Sequence, residues 1–156
     1  MTPSFGVIAR KQTYRRTGVI SLYSLVQEDI MRLQSADDLI VYQKAYALAM
    51  RIFEITKRFP AEERFALTSQ IRRSSRSVCQ NLKEAWAKRR YEAHLVSKLT
   101  DCDGENDETD ASLDFARDCG YITELEHKEL VAECSEVGRM LGAMILHPEK
   151  FLRPAK

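Results

Sequence analysis

Glu124 to His127 spells E-x-x-H, the spacing with which a helix turns a carboxylate and an imidazole toward one metal ion in dinuclear helical bundles. Such a centre needs a second E-x-x-H. Neither remaining histidine supplies one, because Tyr91 stands three before His94 and Met144 three before His147. Glu124 also falls in the first turn of its helix, where a solvated carboxylate facing the positive helix end is the ordinary expectation. The acids Asp101, Asp103, Glu105, Asp107, Glu108 and Asp110 carry enough charge for magnesium, but their spacing scatters them around a helix. Neither a metal site nor a cofactor is predicted. Phosphate-loop, dinucleotide, nucleophile-elbow and zinc-protease motifs do not occur, so catalytic residues are not assigned and a non-enzymatic protein is expected.

The other chemistry is cationic. Arg64 to Arg90 holds eight basic residues against one acid, whereas Tyr91 to Asp118 holds nine acids against two bases. Arg72, Arg73, Arg76, Lys83, Lys88, Arg89 and Arg90 are the candidate nucleic-acid-binding residues. From Arg72 to Arg90 a helix runs about 27 Å, enough to follow a phosphate backbone, and the guanidinium fork suits phosphate oxygens. The same cations also suit ion pairs with the acidic segment, within one subunit or between two, and charge alone favours that pairing. Glu105 and Glu108 are the acids expected to point toward the centre, with arginines of the preceding helix as partners.

The elements that must position these groups are helical. Leu67, Ile71, Ser75, Val78, Leu82 and Trp86 recur at three and four residues, so they form a buried stripe and leave the bases mostly outside it. Ser35 and Asp38 make a capping signal for a first long helix from near Asp37 to about Phe59, which Pro60 ends. Its expected inner face is Leu39, Tyr42, Ala45, Tyr46, Ala49, Ile52, Phe53 and Thr56. Ala61 to Glu63 opens the second helix, which turns near Lys88 to Tyr91. An unbroken helix to Cys119 would be about 80 Å long, too long for a compact chain.

The third helix carries a heptad seam of Leu95, Leu99, Cys102, Asn106, Thr109, Leu113 and Ala116. Its polar centre fits either a contact that fixes register or oligomer state or a water-filled middle. Gly120 closes this helix, and Thr123 with Glu126 caps the fourth. There Leu130, Cys134, Val137, Leu141 and Met144 or Ile145 face inward, Gly138 and Gly142 allow close approach, and Pro148 is the stop. The prediction is an all-α, antiparallel up-down-up-down four-helix bundle over residues 35–147. Residues 1–34 are expected to be a poorly ordered arm, non-native if the true start is Met31, and residues 148–156 an irregular tail.

Composition agrees: 156 residues with 44% hydrophobic content support one core, and six glycines with four prolines are few for an all-β chain. A net charge of +1 marks no class of partner. Cys79, Cys102, Cys119 and Cys134 make no C-x-x-C pair, so buried reduced thiols in a cytoplasmic protein are expected. Apolar runs stay short of a membrane span, and VISLYSLV from Val19 lacks a cleavage signature.

These residues carry a family resemblance. DLIVYQKAYALAMRIFEIT, FPAEERFALTSQIRRSSRSVCQNLKEAWAKRRY, FARDCGYI and MLGAMILHPEKF resemble the four-helix-bundle proteins encoded in intervening sequences of bacterial large-subunit ribosomal RNA genes. The match runs from about Asp37 to Phe151. The family in turn resembles the accessory variability protein of diversity-generating retroelements, a basic pentamer that works with a reverse transcriptase and nucleic acid. The resemblance implies a non-enzymatic homopentameric ring that uses its arginines on RNA or DNA, with a reverse transcriptase or another protein as a further partner. Arg72, Arg73 and the Ser77 to Asn81 region match the family pattern directly; its strongly basic overall charge does not carry over. A structural assembly module, its opposite-charge helices paired between subunits without nucleic acid, is the alternative.

Overall fold

The computed structural model describes residues 28–30 and 32–153. Most of the expected N-terminal arm, with Met31, and the last three residues of the tail lie outside the described residues. Among the described residues the regular structure is helical, without strands. Four long helices, α1 (Ile40–Thr56), α2 (Leu67–Lys88), α3 (Glu92–Asp118) and α4 (Glu124–Leu146), are separated by short turns.

The boundaries show which local signals dominate. The Ser35–Asp38 capping box forms, with the Ser35 hydroxyl accepting from the Asp37 N–H at 3.2 Å and the Asp38 carboxylate accepting from the Ser35 N–H at 2.9 Å. It opens a 3-10 turn at Ala36–Asp38, however, and α1 starts only at Ile40. Leu39 breaks the two apart: its backbone is extended and its side chain is buried. At the next connection Pro60 is followed by a 3-10 turn at Ala61–Glu63, so α2 begins at Leu67 rather than at Ala61. Glu63 then caps α2, its carboxylate accepting from the Leu67 N–H at 3.0 Å.

The α2–α3 turn falls at residues 89–91, as the charges at the two helix ends suggest. Gly120, at φ +76°, ends α3 in the left-handed region that glycine enters without a Cβ clash, and Tyr121 N–H reaches back to the Ala116 carbonyl at 2.8 Å. The predicted Thr123–Glu126 box opens α4.

Each helix packs on the next, and α4 returns to α1. Lys44 pairs with Glu136 at 2.9 Å, Arg51 with Glu129 and Glu133, and Arg58 with Glu126 at 2.6 Å, so partner numbers fall along α4 as they rise along α1. All predicted stripe residues of α2 and the whole α3 seam are buried. On α1 the inner face is rotated from the expected one. Leu39, Ala45, Ala49, Ile52 and Thr56 are buried as expected, but Val41 and Leu48 are buried too, Tyr42 and Phe53 are only half-buried, and Tyr46 is 53% exposed.

The apolar core is split in two. One cluster joins Val41, Leu82, Trp86, Leu99 and Leu141; the other joins Ile52, Ile71, Leu113 and Leu130. Between them lie Ser74, Ser75, Asn106 and Thr109. Asn106 Nδ2 donates to the Cys134 carbonyl at 3.0 Å, and the Thr109 and Ser74 hydroxyls are bonded at 2.8 Å. The gap beside them, lined by Ala45, Leu48 and Val78, has no room for a water molecule. Of the two readings of the polar seam, the direct cross-helix contact is the one present.

Beyond α4, Pro148–Lys150 forms a 3-10 turn, Phe151 and Leu152 pack on the first cluster, and Arg153 N–H donates to the Arg89 carbonyl at 3.1 Å. No helix among the described residues is long and apolar enough to cross a membrane.

Candidate nucleic-acid interface

The buried stripe of α2 fixes where its cations go. With Ile71, Ser75, Val78 and Leu82 inward, the bases divide among the α1 side, the α3 side and the open outer face.

Arg73 points to α3 and reaches Glu105 at 3.5 Å and Glu108 at 2.5 Å. The Glu108 hydrogen bond, then the field of both carboxylates, raises its pKa further. Lys83 lies 2.8 Å from Asp37, whose hydrogen bond raises the ammonium pKa as the lysine lowers that of the acid. Lys88 sits 3.9 Å from Glu84, a carboxylate that Lys98 approaches more closely at 3.0 Å. Arg89 folds inward, 3.6 Å from the Trp86 ring and donating to the Trp86 carbonyl at 2.6 Å. Burial, and secondarily Arg153, lowers its pKa. Three of the seven predicted residues, Arg73, Lys83 and Lys88, therefore pair with carboxylates of the chain, and Arg89 is folded onto Trp86.

Arg72, Arg76 and Arg90, like Arg89, are in no ion pair with a carboxylate among the described residues. Arg72 and Arg76 stand over the Phe53 ring of α1, at 4.9 and 5.8 Å, and Arg72 Nε donates to Thr56 Oγ1 at 2.7 Å. Phe53, expected to be core, is half-buried and serves as the platform that orients two guanidinium groups. Arg90 lies apart, near the Tyr91 ring at 5.6 Å.

Arg72, Arg73 and Arg76 line a depression of about 460 Å³ on the outer face of α2, together with Arg64, Phe65 and Gln80. Arg64 and Phe65 were not among the predicted site residues. The recurrence of polar or basic side chains at 64, 68, 72, 76 and 80, four apart, carried the signal.

The acids of α3 divide too. Glu105 and Glu108 meet Arg73, the expected kind of partner, but at the exposed edge between α2 and α3 rather than toward the bundle centre, whereas Asp103 and Asp110 have raised pKa values, first from burial and then from Asp107 for Asp103 and from Asp114 and Asp107 for Asp110. His127 is held 2.7 Å from Asp114, with Arg117 alongside at 3.3 Å. Cys79, Cys102 and Cys134 are buried, and desolvation pushes their thiols up to about 11, 12 and 12. Cys119, expected to be buried, is exposed because it caps α3 beyond the seam.

The family model described as 23S rRNA-intervening sequence protein matches residues 37–143. No curated protein matches the chain. Among solved structures, a protein of unknown function from the S23 ribosomal protein family of Bacteroides thetaiotaomicron superposes with a TM-score of 0.63 at 27% identity. That match covers 69% of this chain and 96% of the other.

Proposed function

Because the chain belongs to the 23S rRNA-intervening sequence protein family, we propose that it is a non-enzymatic accessory protein that binds nucleic acid through the outer face of α2. The carrying observation is the partition of cations. Arg73, Lys83 and Lys88 are paired with carboxylates and Arg89 is folded onto Trp86, while Arg72 and Arg76 are held over Phe53 beside the outer-face depression, with neither in an ion pair with a carboxylate among the described residues. Cations held without a counter-charge on an open face suit a polyanion.

In this reading the four helices run up-down-up-down, as the opposing register of the α1–α4 ion pairs supports, and residues 35–147 are the bundle between an N-terminal arm and a C-terminal tail. Several copies assemble into a ring, a pentamer, that works in the cytoplasm with RNA or DNA and with a reverse transcriptase or another protein.

Fluorescence anisotropy of labelled RNA and DNA against salt concentration tests it. Binding should weaken linearly in log–log form, with Arg72→Ala/Arg76→Ala losing at least tenfold while light scattering finds the assembly intact. Absence of binding at low salt sinks the proposal. The second reading, a pure assembly module, is favoured by Asp103 and Asp110, which are in no ion pair among the described residues and whose charge a cation of another subunit would relieve. Loss of the ring in the double arginine variant would support it instead.

A further inference from the structure

Resting on that reading, we infer that the depression on α2 takes a short single-stranded segment rather than a duplex, with Phe65 as the surface on which a base stacks. Phe65 is 86% exposed at the N-terminal end of α2, the least covered aromatic ring among the described residues. A ring at that position contributes little to either core cluster, yet it borders the depression, and the Arg64 guanidinium lies 5.2 Å from its centroid. Aromatic faces stack on any base that is out of a helix. A paired base has its faces covered by its neighbours, so such a ring favours unpaired strands.

The rest of the depression supplies the backbone contacts. Arg72 and Arg76 follow along the same helix face, ordered in advance by Phe53 and Thr56, so little freedom is lost when a phosphate arrives. Gln80 closes the far end with an amide that can both donate and accept. From Leu67 to Gln80 the helix rises about 20 Å, and Arg64 and Phe65 extend the depression before it, which suits a short strand of about four nucleotides, the low end of single-strand site sizes. A row of aspartates from a second copy would meet the arginines equally well. It would leave the Phe65 ring unmatched, which is why a base-bearing anion is the better fit.

The test compares a labelled twelve-nucleotide uridine strand with a hairpin RNA by fluorescence anisotropy between 50 and 200 mM salt, both roughly matched in charge. The wild type should bind the single strand more tightly. Phe65→Ala should weaken that binding about tenfold, the weight of one stacked base, without changing the salt slope, and Phe65→Tyr should restore it. Arg64→Ala/Arg76→Ala should make the slope shallower by about 1.4 for a single strand. All of these side chains are exposed, and circular dichroism should find the helices unchanged.

Equal affinity for hairpin and single strand, or an inert Phe65→Ala beside defective arginine variants, overturns the single-strand inference and leaves general nucleic-acid binding standing. If the wild type binds neither RNA, the underlying reading falls as well. Dissociation of the assembly by Arg64→Ala/Arg76→Ala also overturns the inference, since the depression would then hold a neighbouring copy.

Discussion

Asp110 shows how a single side chain can work against the fold it belongs to. One of its carboxylate oxygens is buried without a hydrogen-bond partner among the described residues, and burial followed by Asp114 and Asp107 raises its pKa above the ordinary 3.8. A carboxyl whose folded pKa lies above its unfolded one favours the folded state most fully below the unfolded value. That contribution is lost as the pH rises through the folded value. At neutral pH the charge is therefore a burden. Asp110→Asn should raise the urea midpoint at pH 7, and its advantage over the wild type should shrink as the pH approaches 3.8. Denaturation at a series of pH values checks both; an advantage that is constant with pH would mean that charge is not the cause.

Among the elements, α3 and α4 carry glycines whose surroundings differ. A Cβ added at Gly104 or Gly142 would meet nothing within 4 Å, whereas one at Gly138 would come to 3.3 Å from Asn106 Nδ2. Gly142→Ala and Gly104→Ala should each stabilise the protein by about 1 kcal/mol through helix propensity. Gly138→Ala should gain less, because it presses on the Asn106 bond to α4. Gly120→Ala should lose about 1–2 kcal/mol, since its φ of +76° is left-handed. Thermal unfolding of the four variants orders them. The paired glycines of α4 looked alike in sequence, and only the position of Asn106 separates them.

Across the whole molecule, the polar belt between the two apolar clusters locks α3 against α2 and α4. Asn106 is 4% exposed and its amide is a cross-helix bond to the Cys134 carbonyl. Asn106→Ala should cost about 2 kcal/mol, the usual penalty for a buried acceptor left bare together with the space vacated. Asn106→Leu, isosteric and apolar, would still orphan the Cys134 carbonyl. Equilibrium urea unfolding measures the loss, and a change below about 0.5 kcal/mol would mean that the belt is not what holds the helices in register.

Local spacing was enough for the four helices and for the inner stripes of α2, α3 and α4, because those depend on residues three and four apart and on proline, glycine and capping side chains close by; the α1 face came out only in part. The sequence by itself determined the α2 stripe and the α3 seam completely, and it placed α1 and α2 but not their first turns, where a buried Leu39 and the Glu63 cap override the nearer signals. Which cations are open was beyond it. Arg72 and Arg73 are neighbours of the same type, and only packing turns one toward Phe53 and the other toward Glu108. The exposure of Phe65 was equally out of reach, since a phenylalanine at a helix entrance reads as core until the neighbouring helices are seen to leave it uncovered. Such differences rest on contacts between residues 16 to 35 positions apart, which no local spacing encodes.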